Sequence, residues 1–214
     1  MSLPKWIRHV LTEDGRDRVR ASVRTAEKRT RGQIVPLVVR RSAGIGHVPL
    51  FLTTVLLGLS FPASRHLQAW GDHRPWLPIL LVLSLFLGQF LAKLSWIQRF
   101  LTPNADRHRA AWLRAEMAFY RHGLDRTKGS TGVLLFMSIE DRQAIVLADK
   151  AIASKVPVEV WDEVCAMLTR GARQGDIANG YQAAIQRCAA ALEKYFPVKG
   201  KHPNELPDKL VIEE

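Results

Sequence analysis

The stretch WLPILLVLSLFLGQFLAKLSW, residues 76–96, contains a single charge, Lys93. A second run, VPLFLTTVLLGLSFPAS at residues 48–64, precedes it and carries no charge at all. A helix rises about 1.5 Å per residue, so about 17 residues reach roughly 25 Å, the lower limit for crossing a bilayer. A helix on a soluble core keeps a polar face, and these runs have none, which predicts lipid around them. A helical hairpin buried in a soluble core is the other reading. Trp70 and Trp76 lie between the runs and Trp96 follows the second, a placement that matches an interfacial aromatic belt. The residues therefore predict a transmembrane hairpin over 48–97, with Lys93 reaching toward the headgroups.

Flanking charge sets the expected orientation. The connection between the runs holds Arg65, Arg74 and Asp72. The outer flanks hold Arg31, Arg40 and Arg41 before the hairpin, and Lys93, Arg99, Arg107, Arg109 and Arg114 after it. The positive-inside tendency then places both termini in the cytoplasm and the short loop outside, in a bacterial-type inner membrane. The opening residues, MSLPKWIRHVLTEDGR, lack the apolar core and small-residue cleavage site of a signal peptide.

The 214 residues carry a net charge of +11, and the pI is near 10.2. Such a balance favours polyanionic neighbours, among them anionic lipid. Nucleic acid is disfavoured, because the tryptophans cluster at the membrane edges rather than within basic patches. Cys165 and Cys188 fit no metal or redox spacing and fall on apolar helical stripes, which predicts buried thiols.

Residues 1–47 hold eleven Lys/Arg against four Asp/Glu, a net +7. A helix is expected from Thr12, with Glu13 and Asp14 at its positive end. Val19, Val23, Ala26 and Thr30 make its packing face. Arg16, Arg20, Arg24 and Lys28 make a basic stripe, read either as a solvated face or as a contact for anionic lipid headgroups. The run QIVPLVVR predicts a short buried strand in which Pro36, lacking a ladder donor, favours a sheet edge or a local distortion. After the hairpin, Thr102-Pro103 reads as a helix start, and the helix should run to about Gly123. VLLFMSI and QAIVLA, separated by EDR, read as a β-hairpin. Pro157 and Asp176 open two closing helices. The segment 197–214 loses all periodicity and reads as a flexible tail. Three strands drawn from residues 1–47 and 98–196, with helices beside them, give the expected class: an α/β (α+β) layered domain with a short mixed sheet, interrupted by the inserted hairpin.

The motifs LTEDGRDRVRASVRTAEKRTRGQIVPLVV (11–39) and GVLLFMSIEDRQAIVLAD (132–149), with two closing helices, resemble the TPM-domain family. That resemblance implies an α/β sandwich, sometimes with bound calcium, and links some members to acid phosphatase activity or to maintenance of membrane complexes. The acidic positions of the family pattern are mostly replaced. Ser130-Thr131 stand where Asp-Asn is common, Leu147 where Glu is common, Asp149-Lys150-Ala151 where Gly-Tyr-Gly is common, and Val156-Pro157 where Thr-Asp is common. Calcium needs hard oxygen ligands, so no cofactor is expected; calcium stays open through the resemblance alone, with its expected ligands missing.

The remaining candidates are few. Asp141 and Asp149 flank the second strand of the hairpin, as acid/base or ligand residues or as a turn residue and a strand end. RTKGSTG, residues 126–132, could hold an anion through backbone N–H groups with Arg126, Lys128, Ser130 and Thr131, or could be an ordinary polar turn. His108 and His122 are about four helical turns apart and cannot share an ion unaided. The functional expectation is a non-catalytic accessory or interaction module at the membrane, with an unidentified membrane-protein partner. The alternative is a degenerate hydrolase of phosphate esters.

Overall fold

The computed structural model describes residues 3–42, 48–69, 76–127, 129–198 and 209–213, apart from the side chains of Gln68, Trp76, Ser95 and Arg99. In chain order the elements are α1 (Glu13–Glu27), β1 (Gln33–Val39), α2 (Val48–Ala69), α3 (Trp76–Leu91), α4 (Ser95–Leu101), α5 (Asn104–Arg121), a 3-10 turn (Leu124–Arg126), β2 (Gly132–Ser138), β3 (Gln143–Ala148), α6 (Lys150–Ala153), α7 (Val158–Gln174), α8 (Ile177–Tyr195) and β4 (Val211–Glu213). They divide into two compact units: Met1–Ser42 with His108–Glu214, and Ala43–Arg107. The second is inserted in the crossover that joins β1 to β2.

The first unit is a mixed α+β domain around a four-stranded sheet in the order β3-β2-β1-β4. β1 runs parallel to β2 and to β4, while β2 and β3 form the antiparallel hairpin read from the sequence. Both β1 and β2 are buried along their whole length, which is why they read as unbroken apolar runs rather than as alternation. Alternate residues nevertheless serve different layers. Ile34, Val38, Val133, Leu135 and Met137 pack with residues of α1, α7 and α8. Val35, Leu37, Val39, Leu134 and Phe136 pack with Ala111, Ala115, Ala118 and Phe119 of α5.

Local chemistry starts the helices where expected. The Thr12 hydroxyl accepts from the Gly15 N–H at 3.0 Å, and the Asp176 carboxylate accepts from the Asn179 N–H at 3.0 Å, each satisfying a donor the helix leaves open. The buried Tyr181 phenol donates to the Leu37 carbonyl at 2.7 Å, tying α8 to the seam between β1 and β2. Burial pushes that phenol well above its ordinary pKa, so it stays a donor.

Three expectations need correction. Pro36 does not sit on an edge strand, since β1 has neighbours on both sides. The Gln33 N–H donates to the Thr131 carbonyl at 2.9 Å, so by alternation residue 36 faces away from β2. On that side β4 pairs only with Leu37–Val39, and the missing donor of Pro36 falls just short of it. Next, the segment read as a tail contains β4, the fourth strand. Finally, the run at 76–96 is not one helix. α3 stops at Leu91, the chain tightens through Ala92–Leu94, and the Gln98 side-chain amide donates to the Ala92 carbonyl that a continuing helix would have used. Thr102 therefore closes α4, its N–H donating to the Gln98 carbonyl at 2.8 Å, and α5 starts at Asn104.

In the second unit α2 and α3 pack antiparallel. Ser60 Oγ and Ser84 Oγ lie 2.9 Å apart and buried. Gly88 meets Thr53 so closely that an added Cβ would lie 2.5 Å from the Thr53 hydroxyl. Their outer faces carry exposed Leu50, Phe51, Leu59, Phe61, Val82, Leu83, Phe86 (73% exposed) and Phe90. Trp96 and Phe100 of α4 are exposed as well. Among the described residues one helical stretch, Val48–Leu67, is long and apolar enough to cross a membrane; the apolar part of α3, Leu77–Leu91, is shorter.

Candidate functional site

The loop at 126–131 and Asp149 come together at one end of the sheet. The Asp149 N–H donates to the Gly132 carbonyl at 2.9 Å, which sets the start of α6 beside the start of β2. Gly132 has no room for a side chain, since a Cβ there would lie 2.5 Å from the Leu124 carbonyl oxygen. This is where Ser130-Thr131 and Asp149-Lys150-Ala151 meet, so the fold juxtaposes the positions at which the sequence departs from the acidic pattern.

The loop is organised mainly by its own bonds. The Thr131 N–H donates to the Thr127 hydroxyl at 3.0 Å, and the Thr131 hydroxyl donates to the Arg31 carbonyl at 3.1 Å. The Ser130 N–H donates to the Thr127 carbonyl at 3.0 Å, with Gly129 (φ +90°) and Ser130 (φ +53°) in the left-handed region. Two backbone donors that could have faced an anion are thus engaged within the turn. The Arg126 side chain is 85% exposed and lies 3.9 Å from the Asp125 carboxylate. Lys128, named with this loop, lies outside the described residues.

Asp149 caps α6, one carboxylate oxygen accepting from the Lys150 N–H at 2.7 Å; the other is buried without a hydrogen-bond partner among the described residues. Asp141 is at the far end of β3, a six-residue strand about 20 Å long. It is 6% exposed and accepts from the Ser42 N–H at 2.6 Å and the Ser138 hydroxyl at 2.8 Å. Those bonds fix the β2–β3 turn, in which Arg142 takes φ +54°, and anchor the end of β1. The two aspartates therefore cannot act on one substrate atom. Among the described residues no group of three or more His, Cys, Asp and Glu side chains comes together to hold a metal ion. One carboxylate among hydroxyl, amine and methyl groups does not fit calcium, which takes six to eight oxygen ligands.

The basic stripe lies along α1. Arg20, Arg24 and Lys28 are exposed, while Arg16 pairs with Glu13 at 2.7 Å. The two thiols are separate: Cys188 is fully buried in the core, and Cys165 is half-buried. Burial pushes Cys165 up to about 11 and Cys188 up to about 12, so both are protonated at neutral pH.

One cluster has no precedent in the sequence reading. The Glu213 carboxylate meets His122 Nε2 at 3.1 Å, Arg121 Nη1 at 3.3 Å and Arg114 Nη2 at 3.6 Å. Arg114, Arg121 and His122 recur seven and eight residues apart on one helical face. That spacing is the only signal in the sequence; nothing local ties them to Glu213.

Residues 101–191 match the family model described as TPM domain. A solved structure with the same fold is the NMR structure of BA42 protein from the psychrophilic bacterium Bizionia argentinensis. It shares 21% identity, covers 95% of each chain and superposes with a TM-score of 0.60. No curated protein matches the chain.

Proposed function

We propose that this chain, whose residues 101–191 match the TPM-domain model, is an integral membrane protein in which α2 and α3 both span the bilayer and hold a TPM-like module on the cytoplasmic side. The observation that carries the proposal is the inverted burial of the second unit. Its buried residues include Thr53, Ser60, Ser64 and Ser84, whereas leucines and phenylalanines point outward. Water would disfavour that arrangement by roughly 25 cal/mol for each Å² of apolar surface left exposed. Lipid tails do not, and helices within lipid associate through small and hydroxyl-bearing residues. At 16 residues α3 is about 24 Å long, short of a hydrocarbon core of about 30 Å. Local thinning of the bilayer and a snorkelling Lys93 accommodate that difference. Arg40, Arg41, Lys93, Arg107 and Arg109 outside the pair, against Arg65 near the end of α2 and Arg74 between the legs, favour cytoplasmic termini.

The module acts as a non-catalytic accessory that engages a membrane-protein partner. The separation of Asp141 from Asp149, and the Ser130 and Thr131 N–H groups already bonded to Thr127, support that part. The basic face of α1 and Arg126 are its candidate contacts for anionic headgroups. The test is alkaline carbonate extraction of membranes together with a reporter fused after Glu214. The proposal expects the chain in the carbonate-resistant pellet and a reporter active only in the cytoplasm. Release by carbonate refutes the anchor, and a reporter active outside refutes the orientation. Phosphate-ester turnover that vanishes in Asp149→Ala refutes the non-catalytic role.

A further inference from the structure

The outer edge of β1, away from β2, is covered piece by piece. On that side the Ile34 N–H donates to the Glu27 carboxylate at 3.1 Å. Pro36 offers no N–H. Only Leu37–Val39 then calls for a strand, and β4 lies there, parallel, with Leu37 opposite Val211 and Val39 opposite Glu213. Three residues are few for a strand, whose usual length is about five or six. Side chains make up the difference. Leu210 is buried, Ile212 packs on the layer of α1, α7 and α8, and Val211 packs on the α5 layer. Glu213, with its side chain 18% exposed, sits among Arg114, Arg121 and His122.

We propose that the edge of β1 and the basic cradle on α5 form a peptide-recognition groove. The chain's own Val211–Glu213 occupies it in cis. In trans it takes an extended segment in which two apolar residues precede a carboxylate, laid parallel to β1. The reasons are separable. Backbone pairing along β1 supplies affinity for any extended chain, as in other strand additions to a sheet edge. The two apolar positions face opposite layers because side chains alternate along a strand. The cradle supplies the selectivity, since charge-assisted bonds to a carboxylate are the strong ones. Whether the hairpin spans lipid does not enter the argument.

An intramolecular strand competes at an effective concentration of millimolar order, so the wild-type groove is closed to weak ligands. Glu213→Lys sets a like charge against the cradle and opens it. The probe is a fluorescein-labelled synthetic copy of residues 209–214, Lys-Leu-Val-Ile-Glu-Glu, read by anisotropy against the full chain in detergent. The control peptide carries Lys in place of its first Glu. Glu213→Lys should bind the probe at least about tenfold more tightly than the wild-type chain does, with no measurable binding of the control. Amide hydrogen exchange at Val38, whose N–H faces β4 while those of Leu37 and Val39 face β2, should quicken in the variant and slow again when the probe is added, while exchange in β2 stays as in wild type. If Glu213→Lys loses exchange protection in β2 and so fails to fold, Glu213→Gln carries the same comparison with a smaller gain. Equal binding of probe and control overturns the cradle. Probe binding no tighter in the folded variant than in wild type, or unchanged exchange at Val38, overturns the groove.

Discussion

Replacing Gly171 by alanine should destabilise the first unit, although alanine is the better helix former. α7 and α8 cross at Gly171 and Gly180. A Cβ on Gly171 would lie 2.5 Å from the Gly180 Cα and 2.9 Å from the Asp176 carbonyl oxygen. Carbon atoms rest at about 3.5–4.0 Å, so α7 and α8 must separate by about 1 Å. Both struck atoms are backbone, with no rotamer to relieve them, and the seam also holds buried Val164, Leu168, Ile177 and Tyr181. Overpacking of this kind costs about 1–3 kcal/mol, and the rigid obstacle argues for the upper end. Removing a helical glycine returns about 1 kcal/mol. The net is a loss of about 2 kcal/mol, or a fall of about 4–8 °C in Tm for a unit of this size. The measurement is urea and thermal unfolding of the full chain in detergent, followed by near-ultraviolet circular dichroism. Ala183→Gly, at an exposed position of α8, calibrates helix propensity in the same protein and should cost about 1 kcal/mol. If Gly171→Ala comes out neutral or stabilised by the amount Ala183→Gly loses, the close crossing is not what the glycine serves.

Three further outcomes follow from the same contacts. Gly88→Ala sets a Cβ 2.5 Å from the Thr53 hydroxyl and 2.9 Å from the Thr53 Cα, whereas Gly58 has nothing within 4 Å; thermal scans in detergent should show α2–α3 packing weakened by the first and kept by Gly58→Ala. Asp141→Ala strips acceptors from the Ser42 N–H and the Ser138 hydroxyl and should cost about 2–3 kcal/mol, against about 1 kcal/mol for Asp149→Ala, which removes a helix cap; urea midpoints decide the order. Native Cys188 should resist alkylation at pH 8 and label only on unfolding, with Cys165 slow as well. Their folded pKa values, about 12 and about 11, exceed the ordinary thiol value near 9, so their contribution to stability is fully present below about pH 9. It is lost as pH rises through 11 and 12, because the unfolded chain ionises first; denaturation midpoints across pH 8–12 measure it.

What could be read without coordinates is what acts over a few residues. Thr12 and Asp176 start helices because a side-chain oxygen reaches an N–H two or three residues on, whatever lies elsewhere. The β2–β3 hairpin follows from two apolar runs a turn apart. The runs at 48–64 and 76–96 are apolar by composition alone, and the first forms a helix long and apolar enough to cross a membrane. Even here local reading overreached once: Gln98 claims the Ala92 carbonyl, and α3 ends where hydropathy would have carried it on.

The candidate site depended on pairings between distant segments. Asp141 and Asp149 look like a pair in sequence because only a strand separates them, yet an extended strand puts them at opposite ends of the sheet. Pro36 reads as an edge residue, and only the three-residue reach of β4 shows how an inner strand tolerates it. β4 itself has no periodicity to announce it, since three residues are less than two periods of alternation. Its place comes from the open segment of β1 and from Glu213 meeting Arg114 and Arg121 of α5 and His122 just after it, some 90 or more residues away in sequence. A contact across that distance leaves no local pattern, because folding, not the neighbouring residues, supplies the partner.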